Sequence, residues 1–308
     1  MQYRTLGRTG LNVSGISMGC WNIGGQWGDV SETDAVATLR RAQELGVNLF
    51  DTADAYGVQM GTSEELLGKT FSTMRDKIVY VSKVGNWARR FGHPFSYTSP
   101  LHIINCCHAS LYRLKTDVID VYLCHIGDLP EPTIFLEAFD TLKRQGKIRF
   151  GGISTNSADA VARFNVRGTC DVVQLDYSLL NRKPEEVLLP YCKKHNIGVM
   201  ARGVLAMGLL GGKYDATTVF SDQVRQSWNS GTERDRYLQR IATVEKIRAV
   251  FGGETNLAAV AIQFALANDT VSCVIPGAKN AKQAEANAAA GELNLSPMVI
   301  DALRAATA

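Results

Sequence analysis

Four side chains suited to proton transfer stand at or just beyond short apolar runs of the chain. Asp51 and Tyr56 lie in Asp51-Thr52-Ala53-Asp54-Ala55-Tyr56-Gly57, Lys83 follows Ser82, and His125 follows Val121-Tyr122-Leu123-Cys124. A phenol with an ordinary pKa of about 10 exchanges its proton poorly at neutral pH unless a nearby cation stabilises the phenolate. Lys83 supplies that cation, and Asp51 beside it keeps a desolvated ammonium charged and oriented. Tyr56 is then expected to be easier to deprotonate. His125 hydrogen-bonds and directs the reacting oxygen, which makes Tyr56 the candidate general acid for a developing alkoxide. A lysine in such a place also forms Schiff bases with carbonyl substrates, so carbon–carbon bond cleavage is a competing chemistry, though it leaves Asp51 and Tyr56 less to do. Taken one at a time, the four also have structural uses: a cap, a snorkelling lysine, a satisfied histidine, a packed tyrosine. Their joint placement at the ends of three successive strand candidates is what argues for chemistry.

The elements that must position them alternate along the whole sequence, apolar or β-branched runs with amphipathic stretches, as in βα units around a parallel sheet. A hairpin candidate comes first, Tyr3 to Thr5, a turn at Gly7 to Gly10, and Leu11 to Val13. Strand candidates follow at Gly15 to Met18, Asn48 to Phe50, Ile78 to Ser82, Asp120 to Cys124, Phe150 to Ser154, Val172 to Leu175, Val199 to Arg202 and Cys273 to Ile275. Helices open at Ser31-Glu32-Thr33-Asp34, at Ser99-Pro100 and at Glu131-Pro132, and close near Leu45-Gly46, Leu114 and Gln145-Gly146, where polar caps, first-turn prolines and terminal glycines are placed as helix ends require. No repeat, low-complexity segment or linker divides residues 1–308, so the expectation is one domain, a single (β/α)8 TIM barrel of the α/β class with an N-terminal β-hairpin. Catalytic groups in that architecture sit at the carboxyl ends of the strands. The polar, glycine-rich stretch from Gly208 to about Asp235 is too irregular for a continuous helix and reads as a lid or ligand clamp.

Composition narrows the partners. The 33 Lys and Arg against 30 Asp and Glu are scattered, with no run beyond pairs, so neither a nucleic-acid stripe nor a polybasic membrane patch is written here. No apolar stretch approaches the roughly 18 to 20 residues of a membrane helix, and the first residues lack a signal core, which leads to a cytoplasmic expectation. Seven cysteines in mostly apolar surroundings suggest reduced, packed thiols, and no CxxC or HExxH supports a metal.

The stretches NLFDTADAYG, VYVSKVG and DVIDVYLCH together resemble the aldo-keto reductase family, and the likeness continues from YRTLGRTGLNVSGISMGCW through GKIRFGGIST, DVVQLDYSLLNR and LAMGLLGGKY to VIPGAKNAKQAEANAAA. By that resemblance Asp51, Tyr56, Lys83 and His125 are a catalytic tetrad, and the reaction is hydride transfer between a nicotinamide cofactor and an aldehyde, ketone or alcohol. The resemblance also implies cofactor contacts. The nicotinamide carboxamide falls to Ser154, Thr155 and Asn156 after the fifth strand and to Gln174 on the sixth. Thr155 stands where the family has Asn, with Asn156 substituting one residue on. Arg202 takes the place of the ring-stacking tyrosine. Gly19-Cys20-Trp21 is similar to the family's Gly-Thr-Trp, and Leu205, Gly208 and Lys213 fall in its cofactor loop. At the adenosine end Gly277, Lys279, Gln283 and Asn287 match contact positions, with Gln283 in an arginine's place. Lys279 near a helix start suits a 2′-phosphate, so NADPH is favoured and NADH remains open. Trp21, Trp87 and Trp228 are expected to wall the substrate pocket. The alternative within the resemblance is a non-catalytic, NADP-binding regulatory subunit like the potassium-channel β subunits.

Overall fold

Runs such as Val79–Val84 and Ile119–Cys124 are buried along almost their whole length. A strand with two buried faces must be covered on both sides, which a parallel sheet rolled around its own side chains and ringed by helices achieves. The computed structural model describes residues 1–87, 96–253 and 255–308. In it β1 (Tyr3–Thr5) and β2 (Asn12–Ser14) form an antiparallel hairpin. There follow β3 (Met18–Gly19), α1 (Glu32–Glu44), β4 (Leu49–Asp51), α2 (Thr62–Phe71), β5 (Val79–Val84), α3 (Pro100–Leu114), β6 (Ile119–Cys124), α4 (Thr133–Arg144), β7 (Ile148–Ser154) and α5 (Ala158–Phe164). The chain ends with β8 (Val172–Asp176), α6 (Leu188–Lys194), β9 (Gly198–Arg202), α7 (Gly231–Ala249), α8 (Leu257–Leu266), β10 (Cys273–Val274), α9 (Ala281–Ala289) and α10 (Pro297–Ala306).

Strands β3 to β10 form one eight-stranded sheet in chain order, parallel throughout. Its two edges meet through single parallel bridges, Ile16 with Val274 and Gly19 with Gly277, so the sheet is nearly closed into a barrel. Inside lie Leu49, Val81, Val121, Leu123, Val172, Met200, Cys273 and Ile275, and the hairpin region closes one end with Leu6 and Val13. Outward-pointing Phe50, Tyr80, Tyr122, Ile153, Val173 and Val199 pack in a second layer with helix residues such as Leu39, Leu67, Leu111, Phe139 and Phe164.

Two of the three expected helix starts follow the sequence logic, whereas α4 starts at Thr133 with Pro132 itself at the cap position and no side-chain cap. Ser31 Oγ accepts from the Asp34 N–H, and Ser99 Oγ accepts from the Leu101 N–H with Pro100 in the first turn. The expected first strand moves from Gly15–Met18 to Met18–Gly19, because Gly15 to Ser17 spend their backbone groups on closing the barrel against Val274. The second and third strands run further than expected, so that Asp51 and Lys83 are strand residues and not the first residues of loops. The 208–235 stretch holds two 3-10 turns, Ala206–Gly211 and Gln226–Asn229, and its last residues already belong to α7. All seven cysteines are free thiols. Among the described residues no helix is long and apolar enough to cross a membrane.

Candidate active site

Side chains alternate across a strand with a period of two, so the inward set of the barrel predicts its own rim. Two residues beyond inward Leu49, Val81 and Val172 stand Asp51, Lys83 and Gln174. The structure brings these three together on top of the apolar interior. Lys83 Nζ, fully buried, lies 2.8 Å from Asp51 Oδ1 and donates to Asp51 Oδ2 at 2.9 Å and to the Thr52 carbonyl at 2.6 Å. Its remaining reach goes to Tyr56 Oη at 3.3 Å. Gln174 Nε2 donates to Asp51 Oδ1 at 2.7 Å, and Ser154 Oγ donates to Gln174 Oε1 at 3.1 Å. The chain Ser154–Gln174–Asp51–Lys83–Tyr56 therefore ends on a phenol. The His125 ring stands edge-on to Tyr56, with centroids 5.9 Å apart.

Burial decides the proton affinities here. Removing Tyr56 Oη from water pushes its pKa above the ordinary phenol value, Lys83 opposes the shift, and Asp51 adds to it. This corrects the expectation of a phenol eased toward ionisation. The ammonium already donates to Asp51 and Thr52, and its 3.3 Å contact with Tyr56 does not outweigh desolvation. For Lys83, burial alone would lower the pKa, but Asp51 and then Tyr56 reverse it, and the net shift is upward. Asp51 is raised by burial, with Lys83 and Gln174 holding it back. The resting arrangement is thus a protonated phenol next to a protonated amine, a state suited to giving up a proton.

Around this core the β3–α1 loop folds onto the loop that carries Tyr56. Trp21 stacks on the Tyr56 ring, centroids 5.6 Å apart and planes 19° from parallel. Gln26 Oε1 accepts from Trp21 Nε1 at 2.8 Å and from the Gly57 N–H at 2.9 Å. The backbones touch so closely that a Cβ on Gly24 would come within 2.6 Å of Gly57 Cα. Asp54, two residues before Tyr56, is buried, and burial first, then Glu64, push it up to about 8, against Arg113, the Ala55 N–H and Lys83.

The other sequence candidates divide. Thr155 Oγ1 donates to the Gly127 carbonyl, and Asn156 exchanges hydrogen bonds with the Asp176 backbone, accepting at 2.8 Å and donating at 3.2 Å. Arg202 Nη1 lies 3.8 Å from Asp176 Oδ1. Leu205 precedes a turn in which Ala206, Met207 and Gly208 all have positive φ, and Lys213 follows that turn. Gly19 and Gly277 form the closing bridge of the barrel. Lys279 Nζ donates to the Trp27 carbonyl, its N–H donates to Gln283 Oε1 at 2.8 Å, and Asn287 Nδ2 donates to the Gly277 carbonyl at 3.2 Å. Two candidates are enclosed by protein. The Cys20 side chain is fully buried, and Trp228, only 6 % exposed, packs on Phe220 and Tyr237 inside the 208–235 segment. Trp87 is exposed, and residues 88–95 beyond it, part of the loop expected to build the pocket, lie outside the described residues. Gln26 and Arg225 escaped the sequence reading. Neither stands at a strand end, and Arg225 is recognisable only once the fold sets it over the rings of Trp27, Tyr214 and Phe220.

The model of the aldo/keto reductase family matches residues 15–308. Among similar proteins, the NADH-specific methylglyoxal reductase of Escherichia coli is 30% identical over 94% of each chain. Among solved structures, the holo form of aldo-keto reductase AKR11C1 from Bacillus halodurans superposes with a TM-score of 0.81 at 29% identity, covering 100% of this chain and 97% of that one. An aldo-keto reductase from Klebsiella pneumoniae in complex with NADPH superposes with a TM-score of 0.75 at 27% identity, covering 100% and 96%. Relatives thus include proteins described with NADH and with NADPH. A family match over nearly the whole chain, on a barrel of the same shape, makes this protein an oxidoreductase of the aldo/keto reductase family.

Proposed function

We propose that this chain reduces an aldehyde or ketone to the alcohol, or runs the reverse oxidation, with NADPH as the preferred cofactor, and that Tyr56 delivers the proton. The observation that carries this reading is the buried contact chain from Asp51 through Lys83 to the Tyr56 hydroxyl at the barrel mouth. The residues present also fit the cofactor. Burial, then the nearby Arg225, hold the Lys279 ammonium below its ordinary pKa, with Asp222 opposing. Lys279 stands just before α9, where a point charge and free helix N–H groups together favour an anion such as a 2′-phosphate, while Arg225 is already paired with Asp222 at 2.8 Å. Ser154, Gln174 and Asn156 offer donors and acceptors suited to a carboxamide, and the Arg202 guanidinium offers a flat face for the ring.

When bound, the reduced nicotinamide supplies the hydride. Tyr56 Oη gives its proton to the carbonyl oxygen as that oxygen gains charge. Lys83 stabilises the phenolate left behind, and Asp51, held by Gln174, keeps the ammonium charged and aimed. His125 directs the carbonyl oxygen, and Trp21 covers the outer face of Tyr56 against water. In the oxidative direction the same phenolate accepts the alcohol proton.

The test is loss of nicotinamide absorbance with a panel of aldehydes and ketones, for the purified protein and for Tyr56→Phe. The expected result is turnover that falls at least about a hundredfold in Tyr56→Phe, the lower end of what general acid catalysis contributes, with cofactor affinity unchanged. Retained turnover in Tyr56→Phe rejects the proton donor. Cofactor binding without turnover by the unaltered protein supports a regulatory subunit instead, and a borohydride-trapped adduct at Lys83 without nicotinamide supports Schiff-base chemistry.

A further inference from the structure

Gln26 is buried, lies on no strand and belongs to no proton path, yet its single carbonyl oxygen ties together two loops of the barrel mouth. One bond takes the indole N–H of Trp21, and the other takes the backbone N–H of Gly57, the residue after Tyr56. Two further contacts press the same loops together, Trp21 stacking on Tyr56 and the Val58 N–H donating to the Gly24 carbonyl at 2.9 Å, while within the first loop Trp27 meets Trp21 edge-on with centroids 4.9 Å apart. The far end of the β3–α1 loop is held separately, where Lys279 Nζ donates to the Trp27 carbonyl.

These contacts leave Trp21 one rotational freedom that matters. Stacking and edge contacts tolerate sliding of an indole in its plane, because aromatic pairs prefer offsets over a broad range. A hydrogen bond to Nε1 does not, since it fixes both distance and direction. Gln26 is therefore the group that decides where the half-exposed edge of Trp21 lies relative to the Tyr56 hydroxyl.

We propose that Gln26 is a positioning residue for carbonyl reduction, which by locking the Trp21 indole beside Tyr56 sets the width of carbonyl substrate the mouth accepts. The proposal rests on the assignment of Tyr56 as proton donor. It assigns Gln26 no contact with the reacting atoms. Its loss acts on substrate fit more than on proton transfer.

Gln26→Met keeps the length and volume of the side chain and removes the acceptor, whereas Gln26→Glu keeps an oxygen acceptor. Two measurements decide the matter. The first is the indole N–H resonance of Trp21 in protein labelled with ¹⁵N-tryptophan, assigned by its disappearance in Trp21→Phe. It is expected to shift in Gln26→Met and to stay near its original position in Gln26→Glu. The second is the split between KM and kcat with a small aliphatic aldehyde and an aromatic one. Gln26→Met removes the bonds to Trp21 and to Gly57 together. Loss of the Trp21 bond, about 1.4 kcal/mol, is expected to raise KM for the aromatic aldehyde about tenfold relative to the aliphatic one, and loss of the Gly57 bond to act on both substrates alike, with kcat for both within about threefold. Gln26→Glu is expected to restore the aromatic KM. An unmoved resonance in Gln26→Met overturns the proposal. So does a moved resonance with an unchanged aromatic KM, and so does a uniform loss of kcat, both KM values and cofactor affinity, which marks a general structural role. If the unaltered protein turns over no carbonyl, the proposed function fails while the resonance still reports whether Gln26 places Trp21.

Discussion

Replacing Asp54 by Asn is expected to change the pH dependence of stability in a way that can be worked out beforehand. The Asp54 side chain is 5% exposed, and its pKa is pushed up to about 8, by burial first and then by Glu64. The oxygens of Glu64 are engaged, Oε1 accepting from Ser82 Oγ at 2.5 Å and Oε2 from Arg113 Nε at 2.6 Å. Arg113, the backbone N–H of Ala55 and Lys83 pull the Asp54 value the other way without overcoming burial. In the unfolded chain an aspartate ionises at about 3.9. Between that value and about 8 the native state therefore binds one proton more than the unfolded state, and stability falls as pH rises. The slope is about 1.36 kcal/mol per pH unit, so about 2.7 kcal/mol is lost between pH 5 and pH 7. Asn has nearly the same shape and does not titrate. The unfolding free energy of the unaltered protein minus that of Asp54→Asn should thus fall by about that amount over the interval, then level off above about pH 8. All other titrating groups are common to both proteins and cancel. Urea unfolding of the pair at pH 5, 6, 7 and 8.5 measures the difference. A difference that stays constant across that series means Asp54 is ionised in the folded protein, and the reasoning from its burial beside Glu64 fails.

Lys279→Ala is expected to weaken NADPH binding by at least about tenfold and NADH binding by less than about twofold, the asymmetry of a lost charge-assisted contact to a 2′-phosphate, read by calorimetry with each cofactor. Equal losses place Lys279 elsewhere on the cofactor. The Tyr56→Phe and Gln26→Met experiments complete the set, and they separate cleanly: the first should lower kcat with the substrates unchanged in rank, the second should re-rank the substrates with kcat nearly intact.

The barrel was legible because its evidence is local. The βα units carry local periods, and several carry caps or stops, as at Ser31, Ser99 and Gly46, so eight such units leave few ways to close a sheet. Asp51, Lys83 and His125 were legible for a related reason, since a polar residue at the end of an apolar run shows itself in one dimension. The rest depended on contacts between distant segments. Nothing near Gln26 announces that its oxygen meets both Trp21 and Gly57, and nothing in Asp54 says that the fold buries it beside Glu64. The same gap explains the overestimate of how readily Tyr56 ionises: the sequence reading paired it with Lys83 but not with the burial that both share. The burial of Trp228 was illegible, because an irregular segment from Gly208 to Asp235 reads as open loop, whereas its aromatic residues pack on one another and on Tyr237.

The buried Lys83–Asp51 pair remains to be explained, because stability does not call for it. Desolvating two charges costs several kcal/mol each, and well-packed apolar side chains in the same place commonly leave a protein as stable or more so. The barrel interior directly below is already built that way, from Leu49, Val81, Leu123 and Met200. Breaking the pair from one side should therefore look very different from removing it. Lys83→Met leaves the Asp51 carboxylate buried with, among the described residues, Gln174 as its remaining side-chain donor, and is expected to cost about 3–5 kcal/mol. Asp51→Leu combined with Lys83→Met removes the stranded charge, and is expected to recover most of that loss while turnover stays as low as in the single variant. Urea unfolding and nicotinamide absorbance on the two variants read the two properties independently. A double variant as unstable as the single one would make the pair a structural element of the barrel. Recovery of stability without recovery of turnover leaves proton transfer at Tyr56 as the reason an ammonium and a carboxylate occupy the top of an apolar core.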